Sequence, residues 1–295
     1  MSKVDFTGLG VALVTPFNND ESVDYDSLNK LIEFQINSGV DYIVALGTTA
    51  ETPTLTISEQ KDIVDYIVKT VNGRVPIVVG MGDNCTASLV DKIKGFDFTG
   101  ISAILSVTPY YNKPTQEGLY LHYCAISKVS PVPIILYNVP GRTGVNMTAE
   151  TTVRVAKACN NVVATKEASG DLNQIKGIID NAPEGFNVIS GDDAVTTDVI
   201  LSGGVGVISV FGNAFPKEMK WLVKSALEGS ASSAREKMEQ DFDKLFHLMF
   251  VEGNPAGVKA LLQMRGLVEN VVRLPLVVVS DGTRTKIKEQ FNRFA

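Results

Sequence analysis

Lysine, tyrosine, threonine and arginine side chains close several short apolar runs of this chain, and together they could carry carbonyl chemistry. The sharpest case is Lys166, which follows Val162-Val163-Ala164-Thr165 and precedes Glu167-Ala168-Ser169-Gly170-Asp171. An apolar, β-branched run of this length reads as a buried strand. Water solvates an ammonium poorly at the end of such a strand, and desolvation favours a neutral amine. A neutral amine is a nucleophile that forms Schiff bases with carbonyl substrates. The ordinary alternative is a lysine that snorkels into water. The other residues at run ends weigh against it.

Thr48-Thr49 follow the run at 42–46, and Tyr110-Tyr111 follow the run at 103–107. Tyr137 closes the run at 133–137, with Arg142 in the next loop, and Ser190-Gly191-Asp192 close the run at 186–190. At one mouth these residues would supply an amine nucleophile, hydroxyls for proton transfer and a guanidinium fork for a carboxylate. Singly, each has a simpler use as a turn, a packing ring, a structural hydrogen bond or a solvated loop arginine. Gly203-Gly204-Val205-Gly206 could approach a ligand with its backbone, but it lacks the lysine and spacing of a P-loop.

The elements that must position these residues alternate regularly. Apolar runs at 8–15, 42–46, 76–79, 103–107, 133–137, 162–166, 186–190 and 205–210 are separated by amphipathic stretches. Asp24 and Ser58 stand as helix caps, and helices are expected at 86–98, 115–129, 148–158, 172–179 and 194–201. Eight such alternations predict a (β/α)8 TIM barrel over residues 1–228. An open, doubly wound sheet is the rival, because alternation does not reveal whether a sheet closes. Four polar-faced helices follow, at 217–228, 232–250, 257–267 and 280–291, and the last three fall in a predicted C-terminal helical domain over 229–295.

Composition narrows the function classes. A net charge of −6 argues against nucleic acid and acidic membranes as partners. Cys85, Cys124 and Cys159 are dispersed, as expected for reduced core thiols in a cytoplasmic protein. His122 and His247, the only histidines, argue against a histidine metal site and a Ser-His-Asp triad. The first six residues carry no secretory apolar region, and no apolar run is long enough to span a bilayer.

With these residues assembled, the chain resembles the dihydrodipicolinate synthase family of pyruvate-dependent class I aldolases. The resemblance runs from Gly8-Leu9-Gly10-Val11-Ala12-Leu13-Val14-Thr15-Pro16-Phe17 into the helical tail. It rests on Gly47-Thr48-Thr49-Ala50-Glu51, Pro109-Tyr110-Tyr111-Asn112-Lys113-Pro114 and Tyr137-Asn138-Val139-Pro140-Gly141-Arg142-Thr143-Gly144. Lys166-Glu167-Ala168-Ser169-Gly170 and Ser190-Gly191-Asp192-Asp193 complete it. Ala50 replaces the glycine usual in the family, for which a small backbone adjustment is expected.

The resemblance implies condensation of pyruvate with L-aspartate 4-semialdehyde to 4-hydroxy-tetrahydrodipicolinate, in diaminopimelate and lysine biosynthesis. It implies a Schiff base on Lys166, with no metal and no separate cofactor. Thr48, Tyr137 and Tyr111 would form a proton relay, Tyr111 reaching into a neighbouring subunit's site. Thr49 and the backbone near Ile208 would hold the pyruvate carboxylate, Gly191 would join the substrate-binding residues, and Arg142 would bind the second carboxylate. The implied assembly is a homo-oligomer, a tetramer built as a dimer of dimers. A sister aldolase acting on N-acetylneuraminate or a 2-keto-3-deoxy sugar acid would share Lys166 and Tyr137. A non-catalytic barrel that binds a 2-oxo acid is the alternative from another class. Feedback-inhibited members bind lysine near the dimer interface. Thr52, Asn84 and Tyr110 match that pattern, but Ile57, Gln60 and Ser88 replace two histidines and a glutamate, which predicts weak or absent inhibition.

Overall fold

The computed structural model describes residues 5–229 and 233–294. Eight parallel strands pair in sequence order. They are β1 (Gly8–Ala12), β2 (Tyr42–Ala45), β3 (Ile77–Gly80), β4 (Ala103–Val107), β5 (Ile134–Asn138), β6 (Val162–Glu167), β7 (Asn187–Ser190) and β8 (Gly206–Ser209). β1 also pairs with β8, Gly8 opposite Gly206, so the sheet closes into a TIM barrel and the open-sheet rival falls.

The strands are apolar on both faces because both faces are covered. Inward side chains, among them Tyr42, Val44, Val78, Leu105, Ile135 and Ile208, fill the barrel. Outward ones such as Ile43, Val79, Ile104 and Leu136 pack in the larger core shared with the helices. Tyr42 is the largest interior plug, with Phe6 edge-on at 5.6 Å between ring centroids. It fits because Gly10 has no side chain: a β-carbon there would stand 2.2 Å from the Tyr42 ring.

One irregularity matters for the site. Ile134 of β5 pairs with Val162 of β6, yet Ile135 pairs with Ala164, so Val163 is an extra residue in β6. Val162 faces the outer core and Ala164 the interior, although a regular strand would aim both at one face. The bulge therefore resets the alternation just before Lys166. It sets Lys166, and not Thr165, opposite Tyr137.

The helices follow the expected pattern with shifted ends. The helix Ile57–Val71 is capped by Thr56 and not by Ser58; Thr56 and Glu59 form a reciprocal capping box. The helix Thr86–Gly95 stops before Phe96. The segment at 194–201 divides into a 3-10 turn, Asp193–Val195, and a short helix, Thr196–Leu201. After the barrel come Pro216–Leu227, Ser233–Leu248, Ala256–Met264 and Asp281–Phe291. The expected start of the second of these at Ser232, like Met1–Val4 and Ala295, lies outside the described residues. A ring cluster joins this region to the barrel: Phe211 stacks on Phe215 at 4.9 Å and meets Phe242 and Phe246 edge-on. Of the cysteines, Cys159 is buried and touches half-buried Cys124 at 3.4 Å, but Cys85 is exposed and is no core residue.

Candidate active site

Tyr137 and Lys166 are neighbours across β5 and β6, and the Lys166 ammonium lies 4.3 Å from the centroid of the Tyr137 ring. Lys166 is 5% exposed and Tyr137 6%. Space beside the lysine is made by Gly191 just past β7. A β-carbon there would stand 3.0 Å from Lys166 Cε and 2.7 Å from Ala168 Cβ. Strand β2 leads through Gly47 into a single 3-10 turn, Thr48–Ala50, which ends at Glu51 in left-handed backbone. That turn carries Thr48 to the mouth of the barrel and Thr49 beneath it. The Thr49 hydroxyl accepts a 2.9 Å hydrogen bond from Asn254. Arg142 is exposed on the short turn Pro140–Thr143, which Gly144 ends at φ 74°.

These residues share a cavity of about 510 Å³ at the C-terminal ends of the strands. Thr48, Thr49, Tyr137, Arg142, Lys166 and Gly191 line it. Among the described residues no hydrogen bond joins the Thr48 and Tyr137 hydroxyls directly. Two further residues of the expected site, Ile208 and Tyr111, are not part of the lining. Ile208 lies in β8 with its side chain buried in the barrel, which leaves only its backbone for the expected role, and Val210, two residues on, lines the cavity. Tyr111 is 87% exposed in left-handed backbone at φ 73°, its amide donating to Thr143 O, and it does not line this cavity.

Sequence reading missed the far wall. Phe246, His247, Phe250 and Asn254, all beyond the barrel strands, face the cavity. It also gave no role to Asp193, the last residue of a quoted motif. Asp193 accepts the backbone amides of Val210 at 3.1 Å and Phe211 at 2.8 Å, and so fixes the chain leaving β8. Burial pushes its carboxyl up to about 6, against the pull of those donors. Glu167, next to the lysine, points the other way. Asn138, Ser169 and Gln174 donate to it, and burial still raises its pKa.

A second cavity of about 460 Å³ shares Thr48, Tyr137 and Arg142 as a wall. Its other side carries Gln60, Asp83, Lys92 and Tyr110.

The sequence model of the Dihydrodipicolinate synthetase family matches residues 5–293. The chain belongs to this family. Within the dihydrodipicolinate synthetase family, a curated relative is the 4-hydroxy-tetrahydrodipicolinate synthase of Parabacteroides distasonis. It is 57% identical over 289 residues, covering 98% of this chain and 97% of that one. Among solved structures, the dihydrodipicolinate synthase of Thermotoga maritima superposes with a TM-score of 0.94 at 40% identity, covering 98% of each chain. That of Acinetobacter baumannii, complexed with pyruvate, superposes at 0.93 with 39% identity and the same coverage.

Proposed function

We propose that this chain condenses pyruvate with L-aspartate 4-semialdehyde to give 4-hydroxy-tetrahydrodipicolinate, through a Schiff base on Lys166. The observation that carries the reading is the buried Lys166 amine beside the Tyr137 ring, in a cavity that also holds Thr48, Thr49 and Arg142. The names of the relatives favour the synthase over a sugar-acid aldolase and over a silent binding barrel.

Lys166 Nζ attacks the keto carbon of pyruvate, and loss of water gives the imine. Loss of a proton from the methyl carbon gives an enamine, whose carbon attacks the aldehyde of the semialdehyde. The amine of the second substrate then closes on the imine carbon and releases Lys166. Thr49 receives the pyruvate carboxylate, with Gly191 keeping the imine carbon accessible. Tyr137 and Thr48 move protons at the imine nitrogen and the new alkoxide. Arg142 offers its fork to the second carboxylate.

Tyr111 is assigned to the relay of a neighbouring subunit. An aromatic ring 87% exposed on a backbone of unfavourable hand fits a side chain that is completed by a second copy. The assembly proposed is a cytoplasmic homotetramer, a dimer of dimers. No helix among the described residues is long and apolar enough to cross a membrane.

Borohydride trapping with pyruvate, followed by peptide mapping, tests the reading. One reduced pyruvate adduct on Lys166 is expected. A folded protein that forms none would remove the Schiff-base mechanism.

A further inference from the structure

The turn that carries Thr48 and Thr49 is held from outside the barrel strands. Thr49 Oγ1 accepts from Asn254 Nδ2 at 2.9 Å, and both residues are buried. One position on, the Ala50 carbonyl accepts from Thr15 Oγ1 at 2.7 Å. At the next position Glu51 leaves the turn in left-handed backbone at φ 57°. Its carboxylate accepts from Lys259 Nζ at 2.5 Å and from the backbone amide of Arg273 at 2.9 Å. Neither the Glu51 nor the Lys259 side chain has any exposed surface. The Lys259 ammonium is further fixed by the Val271 carbonyl at 2.8 Å and by the Phe17 ring, 4.1 Å from its centroid.

A fully buried ion pair is a poor source of stability, because desolvating both charges offsets their attraction. Its value here is geometric. Charge-assisted hydrogen bonds are short and directional, so Glu51 has one place to go, and a non-glycine residue is kept in a backbone conformation it would otherwise leave. Three consecutive residues are thus tied down, and three of the four ties come from the segment after the barrel.

We propose that Asn254 and the Lys259–Glu51 pair are positioning residues that hold the Thr48-Thr49 turn in the shape that receives the pyruvate carboxylate. The region after the barrel then sets the affinity for the first substrate. The inference rests on the Schiff-base reading and extends it to groups that act through Thr49 and through the backbone.

Full-length Asn254→Ala and the double variant Glu51→Gln/Lys259→Met are titrated with pyruvate in the borohydride assay. The double change is chosen because losing one partner alone leaves a buried charge uncompensated, whereas losing both does not. The pyruvate concentration for half-maximal trapping is expected to rise about tenfold in each, the scale of one lost hydrogen bond. The final extent of adduct at saturating pyruvate should change by less than about threefold, since Lys166 and Tyr137 are untouched. A role confined to stability would lower the melting temperature and leave half-saturation where it was. That outcome, in either folded variant, overturns the inference while the Schiff-base reading stands. A wild-type protein that traps no pyruvate overturns both.

Discussion

Tyr137 is the side chain on which the proposed chemistry turns, since its ring lies against the Lys166 amine and it lines the same cavity. Tyr137→Phe keeps the ring and removes the proton carrier. Trapping of pyruvate on Lys166 should persist, while kcat falls about 100-fold or more, as expected for loss of a general acid-base group. Steady-state rates beside the trapping assay separate the two effects, and a near-normal kcat would exclude Tyr137 from proton transfer. Residues of this kind were legible in the sequence because chemistry-bearing side chains at the ends of apolar runs break the local pattern. Asn254 and Asp193 were not legible. Each is an ordinary polar residue whose value comes from a partner far along the chain, Thr49 for one and the backbone after β8 for the other.

Strands and helices were read well from periodicity, and their ends less so, because caps and bulges are local hydrogen-bond choices that periodicity does not record. Thr56 outcompetes Ser58 as a cap because Glu59 stands three residues on from it and completes the box. The bulge at Val163 has no compositional signature, yet it aims Lys166 inward. Gly191 belongs to the same scale, a loop position that must stay bare. Gly191→Ala would push a methyl against Ala168 Cβ at 2.7 Å and Lys166 Cε at 3.0 Å. Loss of most pyruvate trapping, with the circular dichroism of the wild type, is the expected result. The loops around the second cavity carry a further prediction. Gln60 spends its amide on the Thr52 and Leu55 carbonyls, and its oxygen accepts from Lys92. Ile57 is 86% exposed and offers no polar group. A cation already in the wall disfavours a cationic effector, although Asp83 offsets part of that repulsion. Initial rates should therefore be unchanged by millimolar L-lysine; inhibition in the micromolar range would refute this.

At the scale of the whole molecule, the barrel and the segment after it are joined by charge as well as by aromatic packing. The sequence showed four helices after the eighth strand, but nothing in their polar faces said which charges would meet the barrel. Arg273 supplies one answer: it grips Glu59 through its two terminal guanidinium nitrogens, at 3.0 and 2.6 Å, and donates twice to the Glu21 carbonyl. The hydrogen bond from Arg273 holds the Glu59 carboxyl well down, at about 2 against an ordinary 4.5. Because the folded value is depressed, the ionised pair stabilises the fold fully above about pH 4.5, and that contribution is lost as pH falls toward 2. Asp193 works in the opposite sense. Its value is raised from 3.8 to about 6, so its ionisation costs stability as pH rises across that interval. Glu59→Gln tests the first effect: the amide oxygen can still serve the capping box, while the charge and one of the two oxygens that Arg273 grips are lost. Near pH 7 the variant should be less stable by about 2 kcal/mol, less than the full shift implies because the pair is partly exposed. In chemical denaturation at stepped pH the gap should close between pH 4.5 and about 2, leaving the two proteins alike in acid. A gap that stays constant to the lowest pH would mean that the Arg273 ion pair does not tie the C-terminal segment to the barrel.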